Sequence, residues 1–104
     1  MRSDVFTLDK LNEDTVGQLV SLFDALSDHT RLRIIAVLLE GETNVGDLVI
    51  SIGLSKSAIS HQLRILREKR LVRSRKQGRK VYVALDDDHV SDLFQRGLDH
   101  VLHG

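Results

Sequence analysis

Apolar side chains return at Val16, Leu19, Val20, Phe23 and Leu26, the i, i+3, i+4, i+7 spacing of a helix with one buried face. The same period restarts at Leu32, Ile35, Ala36 and Leu39, where Asp28 can cap the helix and Gly41 stop it. A third, shorter helix is predicted after Asn44, with Val45, Leu48, Val49 and Ile52 inward and Gly53 at its end. Ser55 opens a fourth after only Gly53 and Leu54, and two helices joined by so short a Gly-containing turn form a helix-turn-helix. Beyond Leu71 the period changes to two. Val72 to Lys76 and Val81 to Leu85 alternate around Gln77, Gly78 and Arg79, which predicts a β-hairpin turning at the Gly. From Asp88 the helical period returns, with Val90, Leu93, Phe94, Val101 and Leu102 apolar. The predicted order is α-α-α-α-β-β-α, mainly α with a β-hairpin wing: a winged helix-turn-helix.

A length of 104 residues suits one hydrophobic core, so the chain is expected to be one domain over residues 1–104. Its 41% hydrophobic and 29% charged residues argue against a disordered chain. No apolar run reaches the roughly 18 residues of a membrane span, and Met1 to Lys10 lacks the apolar core of a signal peptide, so no membrane partner and a cytoplasmic location are expected. Cys is absent, which removes disulfides, thiolate metal sites and Cys nucleophiles together.

The net charge of zero conceals a strong segregation. Residues 1–50 carry four basic against nine acidic side chains, residues 51–80 carry ten against Glu68 alone, and residues 81–104 carry Arg96 against five Asp. The three segments are therefore at −5, +9 and −4. A concentrated basic block within a neutral protein is the footprint of a polyanion partner. On the fourth helix Ile59, Leu63 and Leu66 form the apolar stripe, while Ser57, Ser60, His61 and Arg64 share a complementary exposed one. A groove-reading helix needs short hydrogen-bonding side chains near its N-terminus for base edges, and cations further along for phosphates. Lys56, Ser57, Ser60 and His61 meet the first need, Arg64 and Arg67 the second. The wing adds Arg75, Lys76, Gln77, Arg79 and Lys80 around a tip that can lie along a duplex backbone or minor groove.

A second chemistry lies at the C-terminal end, where Asp87, His89, His100 and His103 are potential metal ligands. At 100° per residue the three His share a face, yet His89 and His100 stand roughly 16 Å apart along one helix. Two Zn–N bonds of about 2.0–2.1 Å each cannot bridge that gap. Two copies packed antiparallel about a two-fold axis bring Asp87 and His89 of one beside His100 and His103 of the other, twice per dimer. Three imidazoles and one carboxylate suit tetrahedral Zn(II), or Co(II) in its place.

Ala25-Leu26-Ser27-Asp28 leading to Arg31-Leu32-Arg33, the stretch Val45-Gly46-Asp47-Leu48, the run Leu54 to Leu63 with its Ser60-His61-Gln62-Leu63 end, and Arg75-Lys76-Gln77-Gly78-Arg79 together resemble the ArsR/SmtB family of metal-responsive repressors. The resemblance runs from about residue 14 onward. It implies a homodimer that binds double-stranded operator DNA with an inverted repeat when metal-free and releases it when the effector binds. It assigns base reading to Lys56, Ser57, Ser60 and His61. The Asp-x-His-x10-His-x2-His pattern resembles the interhelical zinc site of that family's zinc sensors. In those sensors the position of His100 donates a hydrogen bond to the carbonyl at the position of Arg70, which implies allosteric coupling through His100 and Arg70. Where other members carry a Cys-containing site on the third helix, this chain has Thr43-Asn44-Val45-Gly46, which disfavours soft-metal sensing. Nickel sensors of the family recruit further ligands from their termini, and Met1-Arg2-Ser3 offers no His.

Catalysis fails for want of parts: no nucleophile–base–orienter set is legible, and the fourth metal position is filled by protein rather than left open. A winged-helix regulator answering to cobalt, nickel or a non-metal effector stays open, as does an architectural DNA binder without an effector.

Overall fold

The computed structural model describes residues 11–104; Met1 to Lys10, including the segment weighed above for a signal peptide and for terminal ligands, lies outside the described residues. Its elements are α1 (Glu13–Leu26), α2 (His29–Leu38), β1 (Thr43–Asn44), α3 (Val45–Ile52), α4 (Lys56–Glu68), β2 (Val72–Gln77), β3 (Lys80–Leu85) and α5 (Asp88–His103). Each helix starts where a short polar side chain satisfies an otherwise orphaned backbone N–H. Asn12 accepts from Thr15 N, Asp28 from Arg31 N, Asn44 from Asp47 N, Ser55 from Ala58 N, and Asp87 from His89 N and Val90 N. Gly53 ends α3 in the left-handed region at φ 81°, which a side chain rarely adopts, and lets the chain turn at once into α4.

The core is built from Ile34, Ile35 and Leu38 of α2, Val45 and Leu48 of α3, Ile59, Leu63 and Leu66 of α4, and Leu71, Val72 and Val83 at the wing's base. Ala25 of α1 and Val90 of α5 complete it. All three apolar residues predicted for α4 are thus buried, and the wing turns on Gly78 and Arg79, with Gln77 opposite Lys80 and Val72 opposite Leu85. The winged helix-turn-helix is as expected.

Four details differ from what the sequence pattern predicts. A third strand, β1, pairs antiparallel with β3 to give the order β1-β3-β2; two residues are too few to register as a period. On α2 the buried face is Ile34, Ile35 and Leu38, and Leu32 and Ala36 are exposed, because α2 turns its i, i+4 row toward α3 and α4. On α1 the stripe read as buried is largely exposed: Val16, Leu19, Val20 and Phe23 range from 38% to 62% exposure. The far half of α5 behaves alike, with Val101 at 80% and Leu102 at 63%. Phe23, Leu26, Leu32, Phe94, Leu98 and Val101 line one apolar groove of about 410 Å³ between α1 and α5. Helical periodicity reports which face avoids water, not which chain covers it.

Truncating fully enclosed side chains leaves cavities, so Leu48→Ala and Leu66→Ala are each expected to cost about 2–5 kcal/mol, whereas Ile50→Ala, at a position 81% exposed, should stay within about 0.5 kcal/mol. Equilibrium denaturation of the three variants reads the contrast; equal losses would contradict the core.

Candidate nucleic-acid interface and metal ligands

Burying Ile59, Leu63 and Leu66 leaves Ser57, Ser60, His61 and Arg64 of α4 exposed on the outside of the helix. The wing rises beside that helix because Leu71 and Val72 are anchored in the core immediately after it. Between them lies an open groove of about 740 Å³, whose polar lining includes Lys56, Ser60, Arg67, Lys76, Arg79 and Lys80, with Arg75 on the wing side. Seven of the eleven residues expected to face DNA therefore meet in one concavity, and Ser57, His61 and Arg64 stand on the exposed helix surface. Asn44, Gly46 and Ser74 line the groove too. Nothing in the sequence marks them for this face, since Asn44 reads only as a cap and the other two carry no charge.

Arg75 departs from the expectation of a cation standing ready for phosphate. Its Nε and Nη2 donate to the two Glu42 carboxylate oxygens at 2.9 and 2.8 Å, and Nη1 donates to Gln77 Oε1 at 2.6 Å. The guanidinium lies 4.7 Å from the centre of the Tyr82 ring. The hydrogen bond from Arg75 holds the Glu42 carboxyl below the usual carboxylate range, and the same bond raises the Arg75 guanidinium. Gln77, expected at the wing tip as a DNA contact, is turned to this cluster.

Two other arginines organise the interface from behind. Arg31 of α2 donates from Nε to the Ala25 carbonyl at 2.6 Å, from Nη2 to the Asp24 carbonyl at 3.4 Å, and from Nη1 to Gln62 Oε1 at 2.9 Å. One guanidinium thus ties the end of α1 to the middle of α4. Arg73 of β2 donates through Nη1 to the carbonyls of Leu85 and Asp86, both at 2.7 Å, fixing the link between wing and α5. In the sequence Arg73 reads only as one charge of the basic block and Arg31 as a cation of the acidic first segment; their partners are backbone carbonyls and an amide, which no spacing rule marks.

The candidate metal ligands fall into two groups. Asp87 lies just ahead of α5 as its N-cap rather than inside the helix. Its Oδ1 accepts the backbone N–H groups, leaving Oδ2 at 3.4 Å from His89 Nδ1. Partial burial works to raise the Asp87 carboxyl, but hydrogen bonds from Val90 and His89 outweigh it and leave it lowered. His100 and His103 occupy the last turn of α5, exposed, with Asp99 4.0 Å from His103 Nε2. Among the described residues of one chain, no three candidate donors come together. Arg70, the expected coupling residue, follows α4 with φ 58°, in the left-handed region. It is held there because Leu71 N donates back to the Leu66 carbonyl at 2.9 Å.

A winged helix-turn-helix with a basic groove between recognition helix and wing is a DNA-binding transcription regulator, and its relatives are regulators rather than enzymes. Residues 28–74 match the family described as "Bacterial regulatory protein, arsR family". The chain is 46% identical over 88 residues to the transcriptional repressor SmtB homolog of Synechocystis sp., covering 85% of this chain and 67% of that protein. It is 35% identical to the cadmium resistance transcriptional regulatory protein CadC homolog of Staphylococcus aureus, covering 96% and 93%. Its fold superposes with a TM-score of 0.74, at 28% identity and over 84% of this chain and 79% of the other, on the homodimeric winged helix-turn-helix DNA-binding domain Mb0332 from Mycobacterium bovis. The chain belongs to the arsR family. No helix among the described residues is long and apolar enough to cross a membrane.

Phosphate contacts release counterions, so Lys76→Ala and Arg79→Ala are each expected to flatten the slope of log K for duplex DNA against log salt by up to about one unit, while His61→Ala chiefly erodes sequence preference. Fluorescence anisotropy across a salt series measures both. Arg31→Ala strands the Ala25 carbonyl and Gln62 together and is expected to cost about 1–3 kcal/mol in denaturation, more than Gln62→Ala, which leaves the bonds to α1 in place.

Proposed function

We propose that the protein is a zinc-responsive transcriptional repressor that binds an inverted-repeat operator as a metal-free homodimer and leaves it when Zn(II) binds between the two copies. The observation that carries this reading is the separation of the four donors: Asp87 Oδ2 and His89 Nδ1 sit 3.4 Å apart at one end of α5, and His100 and His103 lie in its last turn. Two ligands of a tetrahedral ion with bonds of about 2.0–2.1 Å are about 3.3 Å from one another, so Asp87 and His89 fit as half a site. The other half has to come from the His100 and His103 of a second copy. The exposed apolar groove between α1 and α5 supports that pairing, since a two-fold contact would cover it. Relatives described as a transcriptional repressor and as a cadmium resistance regulator point to repression and metal response.

In this reading His61, Ser57, Ser60 and Lys56 present hydrogen-bonding groups to base edges, and Arg64, Arg67, Lys76, Arg79 and Lys80 hold phosphates. Two recognition helices must reach successive major grooves about 34 Å apart. Bound Zn(II), or Co(II) in its place, supplies a cross-link between the two chains, with two ions per dimer. Asp87 is already oriented by its cap bonds, and Arg73 holds the segment just before it. With a metal held on one ring nitrogen, His100 would use its second ring N–H to donate to the Arg70 carbonyl, which would tie the last turn of α5 to the end of the recognition helix. A switch from about 1:99 to 99:1 between the two dimer conformations needs about 5.5 kcal/mol of differential affinity. Linkage requires DNA to weaken zinc binding by the factor with which zinc weakens DNA binding.

Titration with Zn(II) is expected to end at one ion per chain, and mixed dimers of His89→Ala and His100→Ala chains to keep one intact site; full affinity in a monomer would refute the interchain site. His103→Glu should keep both zinc binding and zinc-induced release from operator DNA. His100→Asp should keep measurable zinc binding and lose most of the release, because a carboxylate has no second donor. Anisotropy on operator DNA with saturating zinc reads the difference, and equal release by His100→Asp and the parent would remove the coupling role of His100.

A further inference from the structure

The sheet order β1-β3-β2 places three side chains in a row across the wing's base. Arg75 on β2 lies opposite Tyr82 on β3, Tyr82 lies opposite Asn44 on β1, and Glu42 precedes β1 by one residue. The Arg75 side chain crosses the Tyr82 ring to reach Glu42, with which it makes a two-pronged pair. The pair is open to water: the Arg75 side chain is 51% exposed and that of Glu42 37%. Arg75 also lines the basic groove beside Lys76, Arg79 and Lys80. A carboxylate therefore already occupies the two-pronged donor edge that a backbone phosphate would use, at a position facing the same groove.

We propose that Glu42 competes with DNA phosphate for Arg75, keeping one groove cation out of the contact and so setting how strongly this face grips a duplex backbone irrespective of sequence. The proposal rests on the reading of the groove as a DNA interface. An exposed pair of this kind is weak in water, which allows exchange, yet its two aligned bonds and the ring beneath them hold the guanidinium over the sheet instead of toward the wing tip. While Arg75 is paired with Glu42 it carries no phosphate and releases no DNA counterion. Removing the carboxylate charge adds one cation contact per chain.

The test is a salt series of duplex binding by the parent, Glu42→Gln, Arg75→Gln and the double variant, on operator and unrelated DNA. Glu42→Gln is expected to steepen the slope of log K against log salt by up to about 0.9 per chain and to tighten binding about five-fold per chain near 0.15 M salt, on both duplexes alike. With Arg75→Gln in the background, the steepening should disappear. An unchanged slope in Glu42→Gln, with thermal stability like the parent's, would overturn the proposal. So would the same steepening in both backgrounds, which would make Glu42 a simple repelling charge. Salt-independent binding by the parent would instead remove the DNA interface on which the proposal rests, and loss of slope in Lys76→Ala shows that interface to be present whatever Glu42 does.

Discussion

What the protein can present to a duplex depends on the burial of one stripe, Ile59, Leu63 and Leu66 of α4. Once those three side chains are packed against α2, α3 and β2, the rotation of the helix about its axis is settled, and Ser57, Ser60, His61 and Arg64 have nowhere to point but outward. The same packing anchors Leu71 and Val72 directly after the helix, so the wing can rise only beside it. A single apolar contact thereby creates a groove whose two walls come from segments of like charge. Those walls repel, and the strain is relieved only by an anionic occupant or by acidic residues brought in from elsewhere in the chain.

Glu42 is one such residue, and its placement shows how the three charge segments are interleaved in space. The acidic first half of the sequence reaches the basic wing beside β1, the two-residue strand that Glu42 immediately precedes. Arg73 does the reverse, carrying a cation from the wing to the carbonyls that precede the acidic start of α5. Arg31 links α1, the helix lining the apolar groove, to α4, the helix facing DNA. Three arginines thus join the elements that any coupling between the two ends of the molecule has to cross.

The exposed apolar surface of α1 and α5 gives the chain an unfinished side. Phe23, Leu98, Val101 and Leu102 carry a hydrophobic stripe that the other described residues leave exposed. Exposed apolar surface on this scale is a mark of association, and Gly97 at its centre leaves room for a close helix approach. Asp87 and His89 lie at one end of α5 and His100 and His103 at the other, on the same element that carries the exposed apolar stripe.

Local rules carried the sequence reading far. Caps at Asp28, Asn44 and Ser55, the Gly53 turn, the hairpin at Gly78 and the stripe of α4 are all decided within a few residues, because N–H satisfaction, glycine's access to positive φ and helical period are local quantities. The separation of His89 from His100 and His103 was legible for the same reason, since spacing along one helix is arithmetic. The phase of α2, the strand β1, and the partners of Arg31, Arg73 and Arg75 were not legible. Each depends on which distant segment arrives alongside: Ile34 is buried because α3 and α4 lie on that side, and Arg75 is paired because residue 42 ends up 33 positions away in sequence but across one sheet. An apolar period or a charge states what a side chain requires of its surroundings, and only the folded chain decides which neighbour meets the requirement.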